Sequence, residues 1–299
     1  MPVMSNPPFL DPPPGTRRGA IVTARGSFAA LDLPALGPER GRALLIPGFT
    51  GSKEDFIAVL QPLAAAGWRV VAYDQRGQYE SAALTPDGPD GAAAYSVEAL
   101  GHDALAVADA LGGRPHLVGH SFGGLVARAA VLRAPDRFAS LTLLSSGPGA
   151  FPGAQQAETL LRLEQALPTH GLEAVWRAKC ELDAATGWWP PENPETAAFL
   201  ERRFLANSPL GLAAKAHQLR TAPDTVDALA RVIGAPGGPP TQVVFGEDDD
   251  GWPVEDQRLM AQRLGVPAVC IQGAVHSPAA ERPDETAAAL DAFWRSVVD

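Results

Sequence analysis

Short, continuously apolar runs alternate along the chain with longer segments of helical period. The runs are "RALLIPG" (42–48), "WRVVAYD" (68–74), "PHLVGHS" (115–121), "FASLTLLSS" (138–146), "TQVVFG" (241–246) and "PAVCIQG" (267–273). Apolar stretches of this length without alternation suit strands buried on both faces. Between them, "KEDFIAVLQPLAAAG" places Phe56, Val59, Leu60 and Leu63 on one helical face. "YSVEALGHDALAVADALGG" does the same with Val97, Leu100, Ala104, Val107 and Leu111. Gly67 and the pair Gly112-Gly113 are natural stops. "FGGLVARAAVLRAP", "VEDQRLMAQRLG" and "PDETAAALDAFWRSVV" are further helices. Ahead of all these, "GAIVTARGSFAALDL" reads as two short strands joined by a turn at Arg25-Gly26. Strands alternating with helices predict right-handed βαβ units: an α/β class with a mostly parallel central sheet flanked by helices.

The alternation stops after Gly147. Residues 148–233 contain helix-like pieces, the prolines Pro190-Pro191 and the pair Trp188-Trp189, but no clear strand. "TQVVFG" then restarts the pattern. The expected organisation is therefore a core built from 1–147 and 234–299, interrupted by a helical insertion over 148–233. About seventeen proline-rich residues at the start read as an irregular arm.

Composition narrows the function. The chain has 299 residues, 46% of them apolar and 19% charged, enough for a sizeable core. A formal net charge of −10 repels phosphate backbones and anionic membranes, which excludes nucleic acid as the expected partner. Cys180 and Cys270 are too few for a disulfide framework and form no CxxC pair, so two reduced, buried thiols are expected. "MPVMSNPPFLDPPPG" lacks the charged and apolar regions of a secretory signal, and no run of 18 apolar residues exists. The expectation is a cytoplasmic protein, monomer or homodimer, that meets a small molecule and no membrane. No cofactor or metal is expected, because the acidic run Asp248 to Asp250 has no EF-hand spacing.

The chemistry begins at "LVGHSFGGLVARAA", where a serine stands between glycines as a strand gives way to a helix. G-x-S-x-G alone is a weak signal; with a strand before and a helix after, it marks a strained corner that lifts the Ser121 hydroxyl above the sheet edge. Side chains two residues either side would crowd such a corner. Gly119 and Gly123 remove them, and Gly124 lets the helix approach the sheet. The first helical N–H groups then face the space where an oxyanion could sit. A hydroxyl needs a base. Of six histidines, His276 in "GAVHSPAAERPD" follows the last strand, and loops at the carboxyl ends of parallel strands share one sheet edge. The base needs an orienting carboxylate. "FGEDDDGWP" supplies four acids on one loop of that edge, and physics alone does not choose among them.

In this order (strand–PGF, strand–DQRG, GHSFGG, GEDDDGWP, GAVHS), the chain resembles the α/β-hydrolase fold family over about residues 18–147 and 234–299. The resemblance implies Ser121 as nucleophile, His276 as base and the insertion as a cap. In that family the acid often stands three residues after the glycine and four before a proline, which selects Asp249, with Asp248 and Asp250 as the alternatives. It also implies an oxyanion hole from the backbone N–H of Phe49 and Phe122. One departure is Pro47, where many members carry histidine, so the oxyanion loop must be supported differently here. Tyr79, after "DQRGQ", is a candidate to hydrogen-bond substrate or a cap residue, with a structural hydrogen bond as the competing role; Trp188 and Trp189 in the insertion are candidates to line an acyl pocket, with plain cap packing as theirs. The implied activity is serine hydrolysis of a small carboxylic ester through an acyl-enzyme. The same triad also serves C–C bond hydrolases, aminopeptidases, thioesterases, lactonases and perhydrolases. A non-catalytic ligand-binding protein on the same scaffold is the rival of another kind. Relatives that use haloalkanes or epoxides carry aspartate where this chain has Ser121.

Overall fold

The computed structural model describes residues 4–81, 91–185, 187 and 189–298. Among them, eight strands form one sheet: β1 (Arg17–Thr23), β2 (Gly26–Leu33), β3 (Gly41–Ile46), β4 (Trp68–Tyr73), β5 (His116–His120), β6 (Ser140–Leu144), β7 (Thr241–Gly246) and β8 (Ala268–Ile271). Their order is β1-β2-β4-β3-β5-β6-β7-β8. The β1–β2 and β2–β4 pairs are antiparallel and every other pair is parallel. The β1–β2 turn is Ala24-Arg25, one residue earlier than Arg25-Gly26, because Gly26 already pairs with Thr23. Strands β5, β6 and β7 are buried at every position, as central strands between two helical layers must be. The apolar run of β8 is less buried than its composition suggests, because it forms the sheet edge.

The helices are α1 (Ile57–Ala65), α2 (Val97–Leu111), α3 (Phe122–Arg133), α4 (Ala154–Ala185), α5 (Pro194–Leu205), α6 (Pro209–Thr221), α7 (Val226–Ile233), α8 (Val254–Leu264), α9 (Pro278–Glu281) and α10 (Pro283–Val298). The segment "KEDF" forms a separate 3-10 turn ahead of α1 rather than its first turn. There the Lys53 amide and ammonium both bind Asp74, which tilts the chain away from the α-helical path. Two core clusters lie on the two faces of the sheet. On one, Leu60, Leu63, Leu290 and Trp294 from α1 and α10 pack on Leu45, Val70 and Val118. On the other, Leu100, Val107, Val126 and Met260 from α2, α3 and α8 pack on Leu44, Leu117 and Leu143.

Helices α4 to α7 lie between β6 and β7, with no strand among them. Gly171 breaks α4 at a φ of 75°. Asn193 and Ser208 cap α5 and α6 through their side chains, each followed by proline in the first turn. Leu160, Phe199, Phe204 and Leu212 of these helices join the core cluster of the α2–α3 face. Cys180 and Cys270 are free but half-buried, so they are more accessible than expected. No helix among the described residues is long and apolar enough to cross a membrane.

Candidate active site

β5 ends at His120, and α3 starts at Phe122, so Ser121 is the whole corner. Its φ is 54° and ψ −122°, a conformation that costs a non-glycine residue about 1–3 kcal/mol. The neighbouring glycines make the corner possible by sterics. A Cβ on Gly119 would sit 2.3 Å from the Gly123 carbonyl oxygen, and one on Gly123 would sit 2.4 Å from that of Ile46. At Gly124 the obstacle is the Ser146 hydroxyl, at 2.3 Å. The Ser121 amide donates to the Leu144 carbonyl at 2.9 Å, tying the corner to the end of β6.

The loops after β7 and β8 reach the same edge. The Ser121 hydroxyl lies 2.9 Å from His276 Nε2, and His276 Nδ1 lies 2.7 Å from Asp249 Oδ1. All three residues are buried. Of the four acids on the loop, Asp249 is buried while Glu247, Asp248 and Asp250 are exposed. Burial pushes the Asp249 carboxyl up, but hydrogen bonds from His276, Gln257 and the Gly251 amide overcome this and lower its pKa. For His276, burial disfavours the imidazolium, yet the Asp249 bond and charge outweigh it and raise the pKa above the ordinary imidazole value. An ionised Asp249 accepts from Nδ1–H, which leaves the Nε2 lone pair facing the hydroxyl. Gln257 Nε2 donates to Asp249 Oδ2 at 2.9 Å and to the Trp252 carbonyl at 3.1 Å.

His120, next to the serine, takes another part. Its Nε2 lies 2.7 Å from the main-chain carbonyl of His276. A carbonyl only accepts, so this nitrogen carries the proton. Burial holds the His120 pKa down at about 4, keeping the ring neutral. The residue before Ser121 thus fixes the backbone of the residue that faces it, a role no sequence signal marked.

Phe49 and Gly48 line the small cavity in front of Ser121. Neither the Phe49 nor the Phe122 amide donates to a protein acceptor among the described residues. The loop that carries Phe49 is held from its carbonyl side. Gln75 Nε2 donates to the Pro47 carbonyl at 2.8 Å, and Gln78 Nε2 donates to that of Gly48 at 2.8 Å. Gln78 Oε1 in turn accepts from the Gln75 amide at 3.1 Å. The two glutamines of "DQRGQ" supply the support that Pro47 cannot. Behind them, Lys53 pairs with Glu54, Asp74 and Glu80 at 2.8–3.0 Å, and Arg203 of α5 pairs with Asp55 at 2.6 Å.

The cavity has a volume of about 40 Å³ and is lined by Ser121, His276, Phe49, Asp55, Phe151 and Leu219 among others. Tyr79 is absent from that lining; its ring packs edge-on to Phe199 and over the Lys53 ammonium, 4.7 Å away. Trp189 lines a separate cleft with Met4, Trp176 and Leu200. Trp188 lies outside the described residues. Among the described residues, Asp249, Asp250 and His276 form a group whose donor atoms gather within 4.8 Å as a metal site would need. Of these, Asp249 and His276 are already bound to each other.

A mostly parallel sheet with a serine on a strand–helix corner, facing a histidine and an acid from later loops, defines the protein class. The chain belongs to the alpha/beta hydrolase family, whose sequence model matches residues 43–289. Over 112 residues, 37% of this chain, it is 39% identical to RutD of Variovorax paradoxus (strain S110), provisionally named a carbamate hydrolase. The chain spans about two fifths of the length of that relative. Among solved structures it is similar to a thermophilic esterase from Thermogutta terrifontis, with a TM-score of 0.72 and 25% identity, over 95% of this chain and 100% of that one. A hydrolase from Pseudomonas aeruginosa PA01 has the same TM-score and identity over 93% and 98% of the two chains.

Proposed function

We propose that the protein is a serine hydrolase of a small carboxylic ester, working through an acyl-enzyme on Ser121. The observation that carries this reading is the unbroken relay from Asp249 through His276 to Ser121. His276 takes the hydroxyl proton as Ser121 attacks the carbonyl. Asp249 holds the imidazole in the productive tautomer and stabilises its charged form. The Phe49 and Phe122 amides donate hydrogen bonds to the developing oxyanion. His276 then protonates the leaving alcohol and activates water against the acyl-enzyme. The helical insertion over 148–233 serves as a cap, since α6 supplies Leu219 to the cavity.

The cavity of about 40 Å³ supports a short acyl group. A carbamate is one such small acyl donor, and the likeness to RutD favours it as a second reading. The test is a screen of p-nitrophenyl esters from acetyl to decanoyl, with a carbamate, an anilide, a thioester and a lactone, beside Ser121→Ala. Turnover is expected to be highest for acetyl or carbamoyl, and Ser121→Ala to lose about 10⁶-fold. Full activity in Ser121→Ala would refute the nucleophile. No turnover of any acyl donor, with no fluorophosphonate labelling, would instead favour a binding protein.

A further inference from the structure

A second cavity, far larger than the one at Ser121, lies elsewhere among the described residues. A groove of about 1040 Å³ runs between α2 and α3 on one side and α4 and α6 on the other. No residue lines both spaces. The α6 helix walls both, with Leu219 facing the catalytic cavity and Ala213, Ala214 and Gln218 facing the groove. Its walls are largely apolar, from Val97, Leu125, Leu132 and Ala213.

One residue of this lining is out of keeping with the rest. Arg128 stands two turns after Ser121 on α3, about 10 Å further along the helix axis. It is 3% exposed, and its Nη1 is enclosed without a partner. Its guanidinium makes no hydrogen bond or salt bridge among the described residues. The nearby acids are engaged elsewhere. Asp224 acts on Arg128 only through its charge; its oxygens take Arg263 and the Val226 amide. Glu164, on the groove wall, takes Arg220 and His217. Burial lowers the Arg128 pKa to about 10, which still leaves it charged at neutral pH. A buried charge without a partner is strongly unfavourable, and guanidinium offers a planar fork matched to carboxylate.

We propose that this groove is a second binding site for an amphipathic monocarboxylate, whose carboxylate pairs with Arg128 and whose apolar chain lies along Leu125, Leu132 and Ala213. A single charge is favoured because Glu98 and Glu164, also on the lining, repel a dianion. Apolar walls around one buried cation select a long tail over a small hydrated anion.

The experiment is calorimetric titration of Ser121→Ala protein with decanoate below its micellar concentration, beside decanol and decyltrimethylammonium. Decanoate is expected to bind once per chain, at least tenfold more tightly than decanol, with the cation not binding. In the same background Arg128→Met should bring decanoate down to the decanol level and leave decanol unchanged. Its ligand-free Tm should be no lower than the parent's, since an unpartnered charge is removed. Ala214→Glu, which adds a negative charge to the wall, should weaken decanoate more than decanol and keeps the test valid should Arg128→Met not fold. Absence of saturable decanoate binding, equal affinity for decanoate and decanol, or decanoate binding indifferent to both variants would overturn the site.

Discussion

Gln78 Nε2 donates to the Gly48 carbonyl at 2.8 Å and lies 3.3 Å from that of Phe49. Two consecutive carbonyls of the loop are thereby held by one side chain. Gln78 is buried, so no water substitutes easily for it. Replacing it with leucine removes the anchor and leaves buried carbonyls unsatisfied. With Gln78→Leu, kcat for an acyl ester should fall by about 10²-fold, the cost of spoiling one oxyanion donor. KM should change much less, because the amide contributes mainly to the transition state. Steady-state kinetics with a p-nitrophenyl ester read both, and an equal change in kcat and KM would argue for general loosening instead.

A Cβ on Gly251 would lie 2.3 Å from Cε1 of the His276 ring and 2.5 Å from its Nδ1. Gly251 has no positive φ, and the three atoms nearest to that Cβ all belong to the imidazole. In Gly251→Ala the ring must shift, and a displacement of about 1 Å is enough to cost about 10²-fold in turnover. The rate of fluorophosphonate labelling of Ser121 should fall with it, while the far-UV circular dichroism stays unchanged.

The sheet and the edge that carries the candidate site were legible in the sequence because buried parallel strands are continuous apolar runs. Ser121 and His276 followed from the same logic, since β5 and β8 end where their loops begin. Asp249 was not legible from physics alone. Four acids share its loop, and burial, which separates it from the others, depends on Gln257 of α8 and the Gly251 amide. His120 and the two glutamines were missed because their partners are main-chain carbonyls, which leave no pattern in side-chain identity. Tyr79 was placed near substrate by its loop, but its ring packs on Phe199 instead of lining the cavity at Ser121. Pairing between Arg203 and Asp55, 148 residues apart, was equally invisible.

His276 must be neutral to accept the serine proton. Its pKa is raised above the ordinary 6.5, so activity should climb with pH through a midpoint above 6.5 in kcat/KM of the free enzyme. Asp249 raises that pKa against the opposing effect of burial. In Asp249→Asn, burial acts without the charge, and the ascending limb should move to lower pH. The level should fall by about 10⁴-fold, as expected when the tautomer is no longer fixed. A limb that stays in place in Asp249→Asn would show that another acid sets the base.

Asp55 lines the cavity in front of Ser121, and Arg203 of α5 holds it from the insertion at 2.6 Å. Burial raises the Asp55 pKa to about 6, while Arg203 pulls against it. Arg203 also donates to the Ser5 carbonyl at 2.8 Å, so one guanidinium joins the arm, the insertion and the 3-10 turn after the Phe49 loop. In Arg203→Met the carboxyl stays buried without its cation, and its pKa rises further above the unfolded value. A group shifted upward on folding favours the native state while protonated and loses that advantage as pH climbs through the folded pKa. At pH 5 the Asp55 of the variant remains neutral, and the loss of stability should be modest. At pH 8 the chain must either bury the bare carboxylate or hold a proton against the solution, and the deficit should approach the roughly 3–5 kcal/mol typical of a broken buried pair. Urea denaturation of both proteins at the two pH values reads the difference directly. A deficit that is the same at pH 5 and pH 8 would mean that Arg203 acts through Ser5 and packing, not through the Asp55 charge.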